Sequence, residues 1–276
     1  MRLITLGVSG SGPGPGSPAS SYLVQVSAAE AAAAGFEARD WTVVMDLGNG
    51  AFGALQRVVD PFDVDAVAIS HLHPDHCADL SGMYVYLRYH PEHGSLKHGK
   101  GKSLPVWSPS ATAQQAARAY GLSEGETMDA DYDFRSWAEG APVRVGPLTL
   151  EAFRVFHPAE AWGIRVTGPS TLRPDERAVI AYSGDTDYCD GVVALARDAD
   201  LLLCEAAFVE GRDDDVAPGV HLTGRRAGRV AHESGAHRLL LTHLPVWNEP
   251  AISLAEARDE YDGDVRLAQP GATYTV

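Results

Sequence analysis

The sequence predicts an α/β fold in which two sheets are covered by helices around one continuous core. Three observations predict it. Short β-branched runs alternate with helical patterns along the chain. Composition is ordinary for a globular protein, with 45% apolar and 21% charged residues. No internal repeat and no linker marks a boundary within the 276 residues, so residues 1–276 read as one domain, long enough to bury a substantial core.

The elements follow in order. Leu3–Val8 opens the chain as a strand, then a glycine-proline loop, Gly10–Pro18, leads to strands Tyr22–Val26 and Thr42–Asp46. The alanine-rich Ala28–Ala34 between those strands reads as a hairpin excursion or a short helix. Helix Ala51–Val59, strand Ala66–Ser70 and helix Ala78–Tyr89 follow. The polar, basic His93–Ser103 is a loop, a lid or a subunit contact. Strand Pro105–Trp107, helix Ser110–Tyr120, and strands Leu148–Phe156, Trp162–Val166 and Ala178–Ser183 come next. Helix Asp187–Ala196, strand Leu201–Glu205, helix Thr223–Ser234, strand Arg238–Thr242 and helix Ile252–Glu260 complete the series.

Charge and cysteine content exclude several classes. A formal net charge of −15 argues against a nonspecific nucleic-acid binder, which needs clustered Lys and Arg to neutralise phosphates. Cys77, Cys189 and Cys204 form neither a disulfide framework nor a zinc-finger spacing, which fits a reducing, cytoplasmic setting. No apolar run approaches the ~18 residues of a membrane helix, and the first residues read as a strand rather than a signal peptide.

The chemistry is concentrated at strand ends. His71-Leu-His73-Pro-Asp75-His76 directly follows the apolar strand Ala66–Ser70, placing three imidazoles and a carboxylate within six residues. These are the nitrogen and oxygen ligands that zinc and similar divalent ions prefer. Pro74 is expected to break regular structure, making a tight loop that aims His71 and His73 at one centre and Asp75 and His76 at another. His157, Asp185 and His243 each follow a further apolar strand, and strand ends converge on the functional rim of layered α/β folds. Gly184 permits a sharp turn before Asp185, whose two oxygens can bridge two ions.

The order H-x-H-x-D-H, later His, Ser-Gly-Asp-Thr and Thr-His resembles the metallo-β-lactamase superfamily. The resemblance implies a four-layer αββα sandwich and two divalent metal ions, zinc first, with manganese, iron or magnesium as alternatives. It assigns His71, His73 and His157 to one ion, Asp75, His76 and His243 to the other, and Asp185 to both. It also covers lactonases, thioesterases, phosphodiesterases and ribonucleases, so metal binding alone does not choose a substrate.

A second pair narrows the chemistry. Glu205 ends a strand, and His221 lies sixteen positions later, just ahead of the helix capped by Thr223. These match the extra Glu–His pair of the phosphodiesterase branch, which includes the tRNA 3′-processing nuclease, RNase Z. In a phosphodiesterase, a water activated by two ions attacks phosphorus, and the departing alkoxide needs a proton. His221 would supply it as general acid, with Glu205 fixing its tautomer, while Asp75 belongs to the catalytic metal loop.

Departures from RNase Z point to a smaller substrate. The glycine loop lacks the Pro-x-x-x-Arg-Asn element, and Asp185 follows His157 by only 28 positions, leaving no room for a tRNA-clamping arm. The full motif set resembles the actinobacterial atypical class II cyclic-AMP phosphodiesterases. That implies hydrolysis of a 3′,5′-cyclic nucleotide, cyclic AMP first, to the 5′-monophosphate. Apart from the resemblance, a homodimer is the expected state because homodimers are common among soluble enzymes, and no membrane partner is expected. Ser17, Ser20 and Ser21 are candidate substrate contacts, Tyr84, Tyr86, Tyr89 and Trp247 candidate base platforms, and Arg154 and Arg165 candidate phosphate clamps. The competing readings are an RNase Z-like endonuclease, a thioesterase or lactonase, and a nonenzymatic nucleotide sensor.

Overall fold

Alternation along the buried strands sets the layers. In strand Trp41–Met45, Val43 and Met45 face one way and Val44 the other; in Leu201–Glu205, Leu201 and Leu203 oppose Leu202 and Cys204. Both strands are apolar on both faces, the pattern of sheets covered on each side. The computed structural model describes residues 1–99 and 103–276 and shows two seven-stranded sheets.

The first sheet runs Thr273–Thr275, Arg2–Gly7, Ser21–Val26, Trp41–Met45, Ala66–Ala68, Leu104–Ser108, Tyr132–Ser136. The second runs Asp264–Leu267, Arg238–Thr242, Leu201–Glu205, Arg177–Tyr182, Trp162–Pro169, Leu148–Arg154, Val143–Val145. Each has an antiparallel half and a half of four parallel strands. An inter-sheet core from Met1 to Val276 includes Tyr22, Val43, Trp107, Ile164, Ile180 and Leu203. A second core packs under helices Ala51–Leu55, Leu80–Tyr89 and Thr112–Tyr120, and a third under Asp190–Ala196, Gly224–Ser234 and Pro250–Glu260. The result is the expected αββα sandwich. Each fully buried Leu or Val contributes roughly 1.5–3 kcal/mol.

Helices Gly224–Ser234 and Pro250–Glu260 meet backbone to backbone. A Cβ on Gly224 would lie 2.1 Å from the Ser253 carbonyl oxygen. This close contact seats the start of the helix that follows His221.

Several boundaries differ from expectation. Pro74 does not break structure: it is the first residue of a helical turn, Pro74–Cys77, where its missing N–H costs nothing. The chain restarts as helix Leu80–Tyr89 rather than running on from Ala78. Ala28–Ala33 is a short helix held by a Ser27–Glu30 capping box. Within His93–Ser103, Ser95–His98 forms a helical turn, and residues 100–102 lie outside the described residues. No helix among the described residues is long and apolar enough to cross a membrane.

Candidate active site

The carboxyl ends of parallel strands from both sheets deliver the polar residues to one rim, where αβ folds gather ligands. Beyond Ala66–Ala68 the chain reaches His71 and His73, and His73 caps the Pro74–Cys77 turn that buries Asp75 and His76. Asp185 follows Arg177–Tyr182 through Gly184, whose φ is +60° and whose added Cβ would lie 2.8 Å from the Trp162 carbonyl oxygen. Glu205 ends Leu201–Glu205, and His243 follows Arg238–Thr242 with φ 57°. His157 follows Leu148–Arg154.

Hydrogen bonds behind the rings fix their tautomers. Asp46, fully buried past Trp41–Met45, accepts from the Ser70 N–H and hydroxyl, His76 Nδ1 and the Tyr182 hydroxyl, each at 2.7 Å. Because Ser70 donates its only hydroxyl proton to Asp46, its oxygen accepts from His71 Nδ1 at 3.1 Å. His157 Nδ1 donates to the Val220 carbonyl at 2.9 Å. These assignments leave Nε2 of His71 and His157 as inward-facing lone pairs, and Nε2 of His76 as the atom freed once its ring is neutral.

The inward atoms converge. His73 Nδ1 lies 3.0 Å from His71 Nε2 and 3.3 Å from His157 Nε2. His243 Nε2 lies 3.1 Å from both His76 Nε2 and Asp75 Oδ2. Asp185 joins both groups, with Oδ2 3.6 Å from His71 Nε2 and Oδ1 3.1 Å from His76 Nε2. Despite that proximity, buried Asp185 Oδ1 has no hydrogen-bond partner. An ion bound at about 2.0–2.2 Å holds its ligand atoms roughly 3–4 Å apart, so these residues fit two divalent ions sharing Asp185. The two four-residue groups are His71, His73, His157, Asp185 and Asp75, His76, Asp185, His243.

Electrostatics agrees with that donor set. Burial, reinforced by His76, holds the His71 pKa well below its usual value, and burial likewise lowers His157. Burial opposes ionisation of Asp185, but His243, His76 and His71 outweigh it and hold its carboxyl well below the usual range. Asp75 is lowered in the same way by His243 and His76 against burial. Burial also opposes charging His76, yet Asp185 and Asp46 raise its pKa well above 6.5; a cation between the ligands would displace that proton.

His221 stands beside this cluster. Its Nδ1 donates to Glu205 Oε1 at 2.9 Å and lies 3.9 Å from Asp185 Oδ2. Fully buried Glu205 also accepts from Thr186 N at 2.8 Å and Ala207 N at 3.1 Å. Burial works against protonated His221, but Glu205 outweighs it and raises the pKa to about 9.

A β-lactamase superfamily domain model matches residues 42–244, which carry every one of these ligands. The chain belongs to the metallo-β-lactamase superfamily. Among its superfamily relatives, the Mycobacterium tuberculosis protein Rv1339 is 40% identical, the alignment covering all of this chain and 92% of that one. The Bacillus subtilis protein named probable metallo-hydrolase YhfI is 28% identical over 98% of each chain. The YhfI crystal structure superposes with a TM-score of 0.78 at 24% identity, covering 99% of this chain and 98% of that one. The short form of human tRNase Z superposes at 0.71 with 21% identity, covering 100% and 99%. These structures share the superfamily fold, and the chain is a metallo-hydrolase by family.

The rim gathers His71, His73, Asp75, His76, His157, Asp185, His243, Glu205 and His221. It does not gather the three serines. Ser20 and Ser21 are fully buried, with the Ser21 hydroxyl donating to the Asp46 carbonyl, and the Ser17 hydroxyl ties Val8 N to the Pro18 carbonyl. The expectation that they touch substrate is corrected for Ser20 and Ser21, which have no exposed surface; the Ser17 and Ser21 hydroxyls serve the backbone, and the Ser20 oxygen accepts from the Tyr22 hydroxyl at 3.5 Å. The glycine loop reaches the site by backbone instead, bringing Ser11 N within 3.5 Å of His243 Nε2. Tyr84 is core and Arg165 binds the Leu195 and Arg197 carbonyls, so neither is free as platform or clamp, while Arg154 lies over Trp162. Sequence reasoning missed Asp46. Its only signal was a carboxylate ending an apolar strand, the feature that marked Asp185.

Proposed function

We propose that the protein is a dinuclear-metal phosphodiesterase that hydrolyses a 3′,5′-cyclic nucleotide, cyclic AMP first, to the 5′-monophosphate. The carrying observation is the Glu205–His221 pair beside the two ligand groups. When bound, two divalent ions, zinc first on the strength of the histidine-rich donor set, would polarise the phosphoryl oxygens and lower the pKa of a water between them. His71, His73 and His157 would hold one ion, Asp75, His76 and His243 the other, and Asp185 both. Asp46 and Ser70 keep the His76 and His71 rings in register behind them.

His221 answers the second half of the reaction. Glu205 occupies its Nδ1–H and favours the charged ring, so Nε2 can hold a proton near neutral pH and deliver it to a leaving alkoxide. A thioester releases a thiolate, a better leaving group with less need of such a donor.

A ribonuclease reading draws on the likeness to tRNase Z. The connection between Trp162–Pro169 and Arg177–Tyr182 weighs against it: it is a tight turn closed by Ser170 N to the Glu176 carbonyl, with no arm to grip RNA. The test is metal-loaded protein with cyclic AMP, a precursor tRNA and a thioester. Turnover of cyclic AMP to 5′-AMP is expected. Fully metallated protein inert toward every phosphodiester would end this reading.

A further inference from the structure

A cavity of about 410 Å³ lies behind the general-acid position, within the ~300–1,000 Å³ typical of small-molecule sites. Its walls include Phe156, Phe208, Tyr188, Val216 and Pro218. Two of these touch the catalytic rim. Phe156 immediately precedes His157, and the Phe208 ring stands edge-on to His221 with centroids 4.9 Å apart. Phe156 packs against Gly219, where a Cβ would come within 2.6 Å of the ring, yet 49% of the residue stays exposed. An aromatic face is thus held rigidly from behind and left open to solvent, at low entropic cost for anything that stacks on it.

Cavity charge narrows the ligand. Asp187, Asp213 and Asp214 line it against Arg226 and Arg229. Both arginines are already paired, Arg226 with Asp187 at 2.9 Å and Arg229 with Glu233 at 2.8 Å while lying over the Tyr188 ring. The lining carries no unpaired cation for a second phosphate, and a polyanion entering it would meet three carboxylates. A neutral, planar heteroaromatic group meets aromatic walls and both donors and acceptors.

Reaction geometry supplies the direction. A leaving oxygen within reach of His221 carries its organic substituent away from the metal ligands, past His221, toward Phe208 and Phe156. We propose that this cavity is the nucleobase subsite, and that the substrate class is a phosphodiester with one phosphate and a heteroaromatic base on the leaving side. This deepens the phosphodiesterase reading and rests on it. Asp187 builds the subsite: its carboxylate accepts from Gly219 N at 3.0 Å and from Arg226, pinning the 209–220 segment against Phe156.

The experiment uses the full metal-loaded chain and compares kcat/KM for 3′,5′-cyclic AMP with that for base-free ribose 3′,5′-cyclic phosphate. The wild-type ratio measures what the base contributes. Phe156→Ala should lower that ratio about 10-fold, since one base–aromatic stack accounts for a factor of this order. Phe156→Leu, which keeps apolar bulk against Gly219 but no ring face, should lower it similarly, and Phe156→Trp should preserve it. A ratio unchanged in both Phe156→Ala and Phe156→Leu would overturn the subsite while leaving the phosphodiesterase reading intact. Wild-type protein, fully metallated, that hydrolyses neither compound would instead end the parent reading and this one with it.

Discussion

Replacing Glu205 with Gln isolates the proton-delivery claim. Glu205 Oε1 accepts from Thr186 N and His221 Nδ1, and Oε2 accepts from Ala207 N. All three partners are donors, so either orientation of a glutamine amide sets its NH₂ against at least one N–H. In this buried site the mismatch costs about 1–3 kcal/mol of stability. The larger effect is on His221. Its raised pKa rests first on the Glu205 charge against burial, and without that charge burial pulls it down. The reactive form is protonated, so activity falls as pH rises through that pKa. A ring whose pKa is lowered in this way is less protonated at pH 7.5 than in the wild type. For a substrate leaving as an unactivated alkoxide, kcat/KM at pH 7.5 should therefore drop toward the ~10²–10⁴-fold loss of removing a general acid outright. The alkaline limb of the pH profile should move to lower pH. A p-nitrophenyl ester, whose phenolate departs unaided, should lose little. The assay is the pair of kcat/KM profiles from pH 5 to 10. Equal losses on both leaving groups with an unmoved alkaline limb would refute the role of the pair.

The remaining predictions concern the metal shell. Asp46→Asn sets an amide among four donors, so it should cost about 1–3 kcal/mol in a denaturant melt and weaken metal binding about 10–100-fold in a competition titration. Gly10→Ala places a Cβ 2.2 Å from the His243 carbonyl oxygen; the displaced ligand should lower kcat/KM by about 100-fold, measured beside bound metal content. Chelation should lower the melting temperature by about 10 °C, reversed by added zinc or manganese, since ligands bound at 1,000 times Kd each contribute about 4 kcal/mol. In the chelated protein His76 has a raised pKa, so its stabilising charge is fully present below pH 6.5 and lost as pH climbs through the raised value; the melting temperature should fall over that alkaline range.

Legibility tracked burial. Leu201–Glu205 and Arg238–Thr242 are read at their observed bounds because their apolar runs are continuous and flanked by polar residues. The edge strands Tyr132–Ser136, Val143–Val145, Asp264–Leu267 and Thr273–Thr275 escaped notice because edges are half-exposed and mix Arg, Asp and Thr with few apolar residues. The residues brought together at the rim were legible because histidines and carboxylates at successive strand ends leave a chemical signature. Asp46 has no histidine beside it to flag it. Ser17 and Ser21 misled for the opposite reason: a hydroxyl near a glycine loop looks available, and only three-dimensional packing reveals that the backbone uses it. Pro74 shows how one residue type carries two meanings, since it ends a helix from the inside and begins one at its first position.

Anomalous diffraction from crystals of zinc-loaded protein tests the account at its root. Two peaks are predicted, one among His71, His73 and His157 and the other among Asp75, His76 and His243, each in contact with Asp185. Zinc bound only elsewhere, or no bound zinc at saturating concentration, would contradict it.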